Sequence, residues 1–474
     1  MIFHSLDFIV FFVAVVGLYW AMPFRWQNRF LLAASWFFYG YVSPWFIGPL
    51  AVATLTDFLV AREIPARPGR ERLLVAVSVA INLGMLGVFK YFGFFVDNVN
   101  AIFSSFGLTT FEPGLSIILP VGISFYTLQS IGYTVDVYRK RIAPCRSLVD
   151  YALYVSFFPQ LVAGPIERST HLLPMITSAR TIDAARITSG LQLILWGFFK
   201  KVVIADSMAI TANKIFALDQ PDFALLWVGV FAFAIQIFAD FSAYTDIARG
   251  AARILGFEII ENFHGPYLSQ TPHEFWGRWH ISLSSWIRDY VYIPLGGSRC
   301  GPTRNMLNLI GAFAVSGLWH GAQWNFVLWG LYWSFLTIGY RALGLETKPL
   351  LSSTRASAVG LAKIILLFLL TCFGWLLFRE TNPTYLWKYM TLNPLTVSHE
   401  QLRVALFLGI HAIFFALPLL AYDILCRLPR PVLQAWQDRP VIRRVSELAV
   451  ACLLFITILI LRSHAPSEFI YFQF

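Results

Sequence analysis

Apolar residues recur along nearly the whole chain in blocks of about 17 to 25, the length a helix rising about 1.5 Å per residue needs to cross a bilayer. Read in windows of about 19 residues, the pattern predicts about ten to twelve spanning or re-entrant helices. They fall at 6–22, 30–60 (two short pieces broken at Pro44), 73–103, 115–138 with Pro120 inside, 148–166, 190–218, 223–255, 306–338, 358–378, 402–424 and 445–461. Proline, glycine or charge interrupts several of them. Broken helices are tolerated at membrane depth where the freed backbone is buried in protein or lines a watery cavity, so the pattern favours an interior chamber over a lipid-facing bundle. No soluble domain and no internal repeat stands out, and residues 1–474 read as a single integral membrane domain.

The polar intervals set an orientation. Short basic loops at 61–72, 139–146 and 426–444, the last with five arginines, are expected in the cytoplasm by the positive-inside rule. The span 445–461 then leaves 463–474 (SHAPSEFIYFQF) on the opposite face. An aromatic tail there reads either as an interfacial anchoring belt or as a means of presenting the Tyr471 phenol to an internal chamber. The first segment lacks a basic n-region and a small-residue cleavage site, so it is expected to be a retained anchor.

Composition agrees: 57% hydrophobic residues, 13% charged and a mean hydropathy of +0.64 exclude an ordinary soluble globular chain. The net charge of +10 matters through its placement at membrane-facing loops, which suits anionic lipid or an anionic cofactor and is no nucleic-acid signature. Cys145, Cys300, Cys372, Cys426 and Cys452 are scattered without CxxC spacing, which points to packing rather than a metal cluster or disulfide framework.

Against this background two histidines need a reason. His320 lies in a run, 306–338, with no Asp, Glu, Lys or Arg, and an ionisable group at membrane depth is by default a functional-site hypothesis. Gly317 and Gly321 flank it at a spacing that lets a neighbouring helix approach closely, although the same spacing is ordinary helix packing. His280 follows a capping box at Thr271, Pro272 and Glu274, which predicts a helix start. On that helix Trp279, Leu283, Trp286 and Tyr290 would form an apolar ridge, Arg278, Ser282, Ser285 and Asp289 a polar one, with His280 between them. Such a helix would lie at the interface or line an opening, and His280 reads either as an interfacial residue bonding a carbonyl or as a catalytic one. His411, intramembrane without polar or Trp-rich context, reads as packing.

The chemistry open to the pair is limited. No HxxxH, CxxC or DxH spacing supplies further zinc ligands, and no GxSxG supplies a nucleophile elbow. General base catalysis on a hydroxyl needs one imidazole near neutral pKa and a donor for the oxyanion, and acyl transfer from a thioester to an alcohol fits that kit. A transporter moving an acyl carrier or polymer without chemistry is the competing class, because broken helices and midplane polar residues also mark transporters.

Five stretches resemble the membrane-bound O-acyltransferase superfamily: LPVGISFYTLQSIGYTVDVYR (119–139), FFPQLVAGPIER (157–168), FADFSAYTDIARG (238–250), ENFHGPYLSQTPHEFWGRWHISLSSWIRDYVYIPLGG (261–297) and SGLWHGAQWNFVLWG (316–330). Within it the chain is similar to the membrane subunits of alginate O-acetylation and to relatives acting on cellulose, peptidoglycan and teichoic acid. The resemblance implies an all-α ring of helices around a cytoplasm-facing funnel with a tunnel leading outward. It assigns the essential histidine to His320 and the histidine of the RWHISLS motif to His280. The ending FIYFQF (469–474) resembles a motif whose tyrosine, here Tyr471, is thought to relay the acyl group.

The implied activity is O-acetylation of an exopolysaccharide, alginate foremost, at the cell inner membrane. No bound cofactor is implied. The donor would be acetyl-CoA or another acyl thioester, with His320 deprotonating an acceptor hydroxyl and His280 orienting the thioester carbonyl. The C-terminus would be periplasmic, membrane lipid would surround the chain, and a separate periplasmic O-acetyltransferase protein would complete transfer to the polymer. Acylation of a lipid or protein by a longer chain is the other reading that these motifs allow. Asp136, Glu167, Asp240 and Asp246 also lie in the motifs, where buried charge pairing explains them as well as catalysis does.

Overall fold

A computed structural model describes residues 1–111, 117–346, 358–428, 430–463, 465 and 467–470. Among them the chain is all-α, with no strand. In chain order the helices are α1 (Leu6–Ala21), α2 (Phe24–Gly40), α3 (Ile47–Ala66), α4 (Glu71–Leu86), α5 (Phe92–Ser105), α6 (Ile123–Tyr138), α7 (Leu148–Ser156), α8 (Phe158–Leu161) and α9 (Ser169–Thr177). There follow α10 (Ala184–Phe199), α11 (Asp206–Phe216), α12 (Phe223–Ile254), α13 (Pro272–Trp276), α14 (Ile281–Ile287), α15 (Pro302–His320) and α16 (Trp324–Ala342). Last come α17 (Ala358–Arg379), α18 (Pro383–Met390), α19 (His399–Leu425), α20 (Arg430–Gln437) and α21 (Pro440–Leu461).

Among the described residues, six stretches are long and apolar enough to cross a membrane: Pro44–Ala66, Glu71–Ser105, Phe223–Ile254, Ala358–Arg379, His399–Leu425 and Pro440–Leu461. The protein is therefore a multi-pass membrane protein. Helix α21 has no buried residue, and Val445, Leu448, Leu453 and Ile460 are each more than 60% exposed. In water such a face would be untenable, and in a bilayer it is the lipid-facing surface.

The chain forms two compact units, one comprising Met1–Leu191, Ala248–Ile260 and Gly321–Gln323, the other Gln192–Ile247, Glu261–His320 and Trp324–Phe474. In the first unit α3, α4 and α6 pack together around a buried polar knot. There the Asp57 carboxylate accepts hydrogen bonds from Ser78 Oγ and, at 2.8 Å, from Asn82 Nδ2, so a carboxyl at membrane depth is satisfied.

Three expected spans turn out otherwise. Of segment 115–138 the described residues, from 117 on, become helical only at Ile123, because Gly122 adopts a left-handed φ of +79° and a Cβ there would stand 2.4 Å from the Leu161 carbonyl oxygen. Segment 148–166 is the short pair α7 and α8, broken at Phe157, and α7 at nine residues cannot cross a bilayer. Segment 306–338 is an antiparallel hairpin, α15 and α16, turning just after His320. Its backbones touch: a Cβ on Gly317 would lie 2.2 Å from the Phe326 carbonyl oxygen, and one on Gly330 would lie 2.3 Å from that of Phe313. The close approach expected at Gly317 is thus real, but its counterpart is Gly330 on the facing helix, while Gly321 falls in the turn. The cysteines are all free, and only Cys372 is buried, so packing accounts for that one alone.

Candidate functional site

The continuous helix expected from Thr271 onward starts as the sequence suggests and then breaks. Thr271 Oγ1 accepts the Glu274 amide at 3.2 Å, Pro272 opens the helix, and Glu274 Oε2 accepts the Gln270 amide at 2.8 Å. After one turn the chain leaves α13 at Gly277 and pairs with the preceding loop, His264 N to Arg278 O and Ile281 N to Asn262 O, each 3.0 Å. His280 is the N-cap of the next helix, α14, with the left-handed φ of 44° and ψ of 54°, a region non-glycine residues seldom occupy. Its side chain does not cap. Asn262 does so from the loop, its Oδ1 accepting the Ser282 amide at 3.1 Å, which leaves the imidazole to point inward. The apolar ridge at Trp279, Leu283 and Trp286 is buried, while of the polar ridge only Ser282 is buried and Arg278, Ser285 and Asp289 stay half-buried, so the two expected faces differ in exposure although the helix is broken.

His320 is the last residue of α15, carried to the turn of the hairpin by the Gly317–Gly330 crossing. Both histidines are buried, and their ring centroids lie 6.4 Å apart with planes at 56°. Aromatic rings wall the pair. Trp319 stands 5.5 Å from His280 and 5.0 Å from His320, Trp329 and Phe378 meet His320 edge-on at 5.0 and 5.3 Å, and Phe241 of α12 meets His280 edge-on at 4.7 Å. Burial pushes the His280 imidazole well below its usual pKa and holds it neutral. His411, by contrast, stacks only edge-on with Phe415 of its own helix at 4.9 Å, as a packing residue would.

The C-terminal tail reaches the same region. Tyr471 itself lies outside the described residues, yet the chain is placed as far as Ile470. Phe469 is buried, its ring 4.5 Å from Tyr244 and 6.0 Å from Phe241, the ring that touches His280.

The four motif carboxylates are paired. Asp136 meets Arg141 at 3.4 Å, Glu167 meets His171 at 2.8 Å and accepts the Ile260 amide, Asp240 meets Lys201 at 2.9 Å and Asp246 meets Lys200 at 2.8 Å. Burial raises the Glu167 pKa, and the hydrogen bond to Glu167 raises that of His171. Lysines 200 and 201 escaped the sequence reading. Two adjacent lysines inside the apolar segment 190–218 are the signal that could have found them.

Residues 139–387 match the family described as MBOAT, membrane-bound O-acyltransferase family. Aligned over all of both proteins, the chain is 37% identical to "Probable alginate O-acetylase AlgI" of Pseudomonas putida. It is 39% identical to the protein of the same description from Azotobacter vinelandii, over 82% of this chain and 77% of the relative. To the peptidoglycan O-acetyltransferase of Helicobacter pylori it is 32% identical, over 94% of this chain and 91% of that one. With a matched domain over more than half its length, and with the two histidines of its motifs brought side by side in a buried aromatic shell, the chain belongs to the membrane-bound O-acyltransferase family.

Proposed function

We propose that this protein passes an acetyl group from a cytoplasmic thioester, acetyl-CoA, across the inner membrane for O-acetylation of an exopolysaccharide, and that the polymer is alginate. The observation that carries the reading is the pair of buried imidazoles 6.4 Å apart. That separation is about twice the roughly 3–3.5 Å approach of reacting atoms, so one reacting centre fits between two groups of different role. His320 takes the proton of the acceptor hydroxyl, the oxygen attacks the thioester carbonyl carbon, the C–S bond breaks and the thiolate leaves as the thiol. A neutral His280 N–H donates to the carbonyl oxygen as negative charge develops on it.

The acceptor is the Tyr471 phenol, and the resulting ester carries the acetyl group to the periplasmic side. There a separate O-acetyltransferase protein moves it to the polymer hydroxyl and the phenol regains its proton. The buried tail beside Phe241 supports this route, as do the relatives named for alginate. The test is polymer acetyl content in cells that depend on this gene. His320→Ala at normal protein level abolishes it, and wild-type acetylation in that variant overturns the assignment. Tyr471→Phe abolishes it as well if the phenol relays, while full activity there returns the tail to an anchoring role.

A further inference from the structure

The described part of the tail does more than lie against apolar rings. Its polar atoms go to one buried cluster: Lys201, in the π-helical turn Lys200–Ala205, Asp206 at the start of α11, and Asp240 on α12. Lys201 Nζ stands 2.9 Å from Asp240 Oδ1 and 3.0 Å from Asp206 Oδ1, and all three residues are buried. One ammonium against two carboxylates leaves a formal charge of −1 in a buried place. A buried charge without compensation is strongly destabilising.

The tail supplies the compensation. Ile470 N donates to Asp240 Oδ2 at 2.7 Å. Ser467 Oγ and N donate to Asp206 Oδ1 at 2.6 and 3.3 Å. In return Lys201 Nζ donates to the Ser467 carbonyl at 2.9 Å and to its Oγ at 3.3 Å. Upstream, Ser463 N donates to the Val202 carbonyl of the π-turn at 2.9 Å. Donors meet the surplus negative charge and acceptors meet the ammonium, and Ser467 and Ile470 supply both. An apolar anchor would need none of this.

We infer that Lys201, Asp206 and Asp240 are positioning residues that form a buried receptor for the chain's own C-terminal tail, fixing the point from which Tyr471 enters the reaction. The positioning role rests on the proposed relay through Tyr471, while the docking itself stands apart from it. The amide fixed by Asp240 belongs to Ile470, the residue bonded to Tyr471. Asp240 and Phe241 are neighbours on α12, so one helix holds the tail amide and presents the ring that touches His280.

Carboxypeptidase digestion of the purified full-length protein, followed by intact mass, reads the docking. Asp240→Asn and Ser467→Ala each weaken charge-assisted hydrogen bonds and speed trimming through 467–470 by about tenfold or more. Polymer acetylation falls in parallel. The Asp206→Asn, Ser467→Ala double variant trims more slowly than the product of the two single effects requires, because both substitutions act on the Ser467 Oγ–Asp206 hydrogen bond. Ser467→Ala changes only the tail, so it decides the matter even if Asp240→Asn fails to fold. Native trimming rates in Ser467→Ala and additive effects in the double variant would each overturn the receptor. Full acetylation by Tyr471→Phe, with trimming still sensitive to Ser467→Ala, would overturn the relay and leave the docking standing.

Discussion

The imidazoles of His280 and His320 share one wall, the indole of Trp319, which lies 5.5 Å from the first ring and 5.0 Å from the second. The two histidines reach it by unlike routes. His320 ends a regular helix, whereas His280 sits in a left-handed kink between two short ones. The buried pair sits in low dielectric, where hydrogen bonds are strong and water competes little.

If His320 is the base, its loss removes the proton acceptor and leaves binding and the His280 donor in place. His320→Ala is expected to lower acetyl transfer from a thioester donor by about 10²- to 10⁴-fold, the usual worth of a general base. Transfer measured with protein reconstituted in lipid, at matched protein level, checks this.

The hairpin that carries His320 depends on two glycines. Gly317→Ala drives a Cβ to 2.2 Å from a backbone oxygen that cannot swing away, so the helices must part. A loss of about 1–3 kcal/mol is expected, as for other overpacked positions. Gly311, on the same helix with nothing within 4 Å, is the control. Gly311→Ala should be neutral or gain up to about 1 kcal/mol from lower chain entropy. Thermal unfolding of the two variants in detergent separates them.

The sequence made the two histidines visible because an ionisable ring in an apolar run has few innocent explanations. The break at Gly277 was not visible, since the capping box and the 3.6-residue pattern both run on through it. What breaks the helix is Asn262, a loop residue that captures the amides of Ile281 and Ser282. The tail receptor was hidden for a similar reason. Its partners are 230 to 266 positions apart in the chain, and no local period links an Asp to a serine at that distance. The hairpin was hidden in the run 306–338 because composition registers apolar length and not the turn inside it.

The His171–Glu167 pair should make stability depend on pH. Glu167 raises the His171 pKa above the usual 6.5, and burial raises that of Glu167 above the usual 4.5. A group whose folded pKa exceeds its unfolded value contributes stability that is complete below the unfolded pKa and is lost as pH rises through the folded one. The native protein should therefore lose unfolding temperature as pH rises above about 6.5, the unfolded histidine value. His171→Ala should show a flatter dependence over the same range. Equal slopes from pH 5.5 to 8.5 would contradict it.

Lys200 and Asp246 pair at 2.8 Å with side chains almost fully buried, and Lys200 also donates to Ser242 Oγ at 2.8 Å. Removing Asp246 takes from the buried ammonium its ion-pair partner at 2.8 Å. Asp246→Ala should cost about 3–5 kcal/mol, whereas replacing both by apolar residues of similar size, Lys200→Met with Asp246→Leu, should recover most of it. Unfolding of the single and double variants in detergent tests the difference, and a double variant no better than the single would show that the pair is not the source of the loss.

His280 offers a way to separate chemistry from backbone. Its φ of 44° is tolerated by asparagine but strains most other side chains, typically by about 1–2 kcal/mol. Because Asn262 caps α14, no side-chain cap is lost on substitution. His280→Asn should therefore keep native thermal stability while lowering acetyl transfer, by up to the roughly 10²-fold that loss of a whole oxyanion donor costs, because the amide replaces the imidazole N–H with a donor of different geometry. His280→Ala should lose both, its melting temperature falling as well because alanine gains nothing in the left-handed region. If asparagine, an amide donor of similar reach, retained full transfer, the imidazole would be dispensable as such and any donor at that position would serve. If alanine matched asparagine in stability, the kink would be set wholly by the pairing of 262–264 with 278–281.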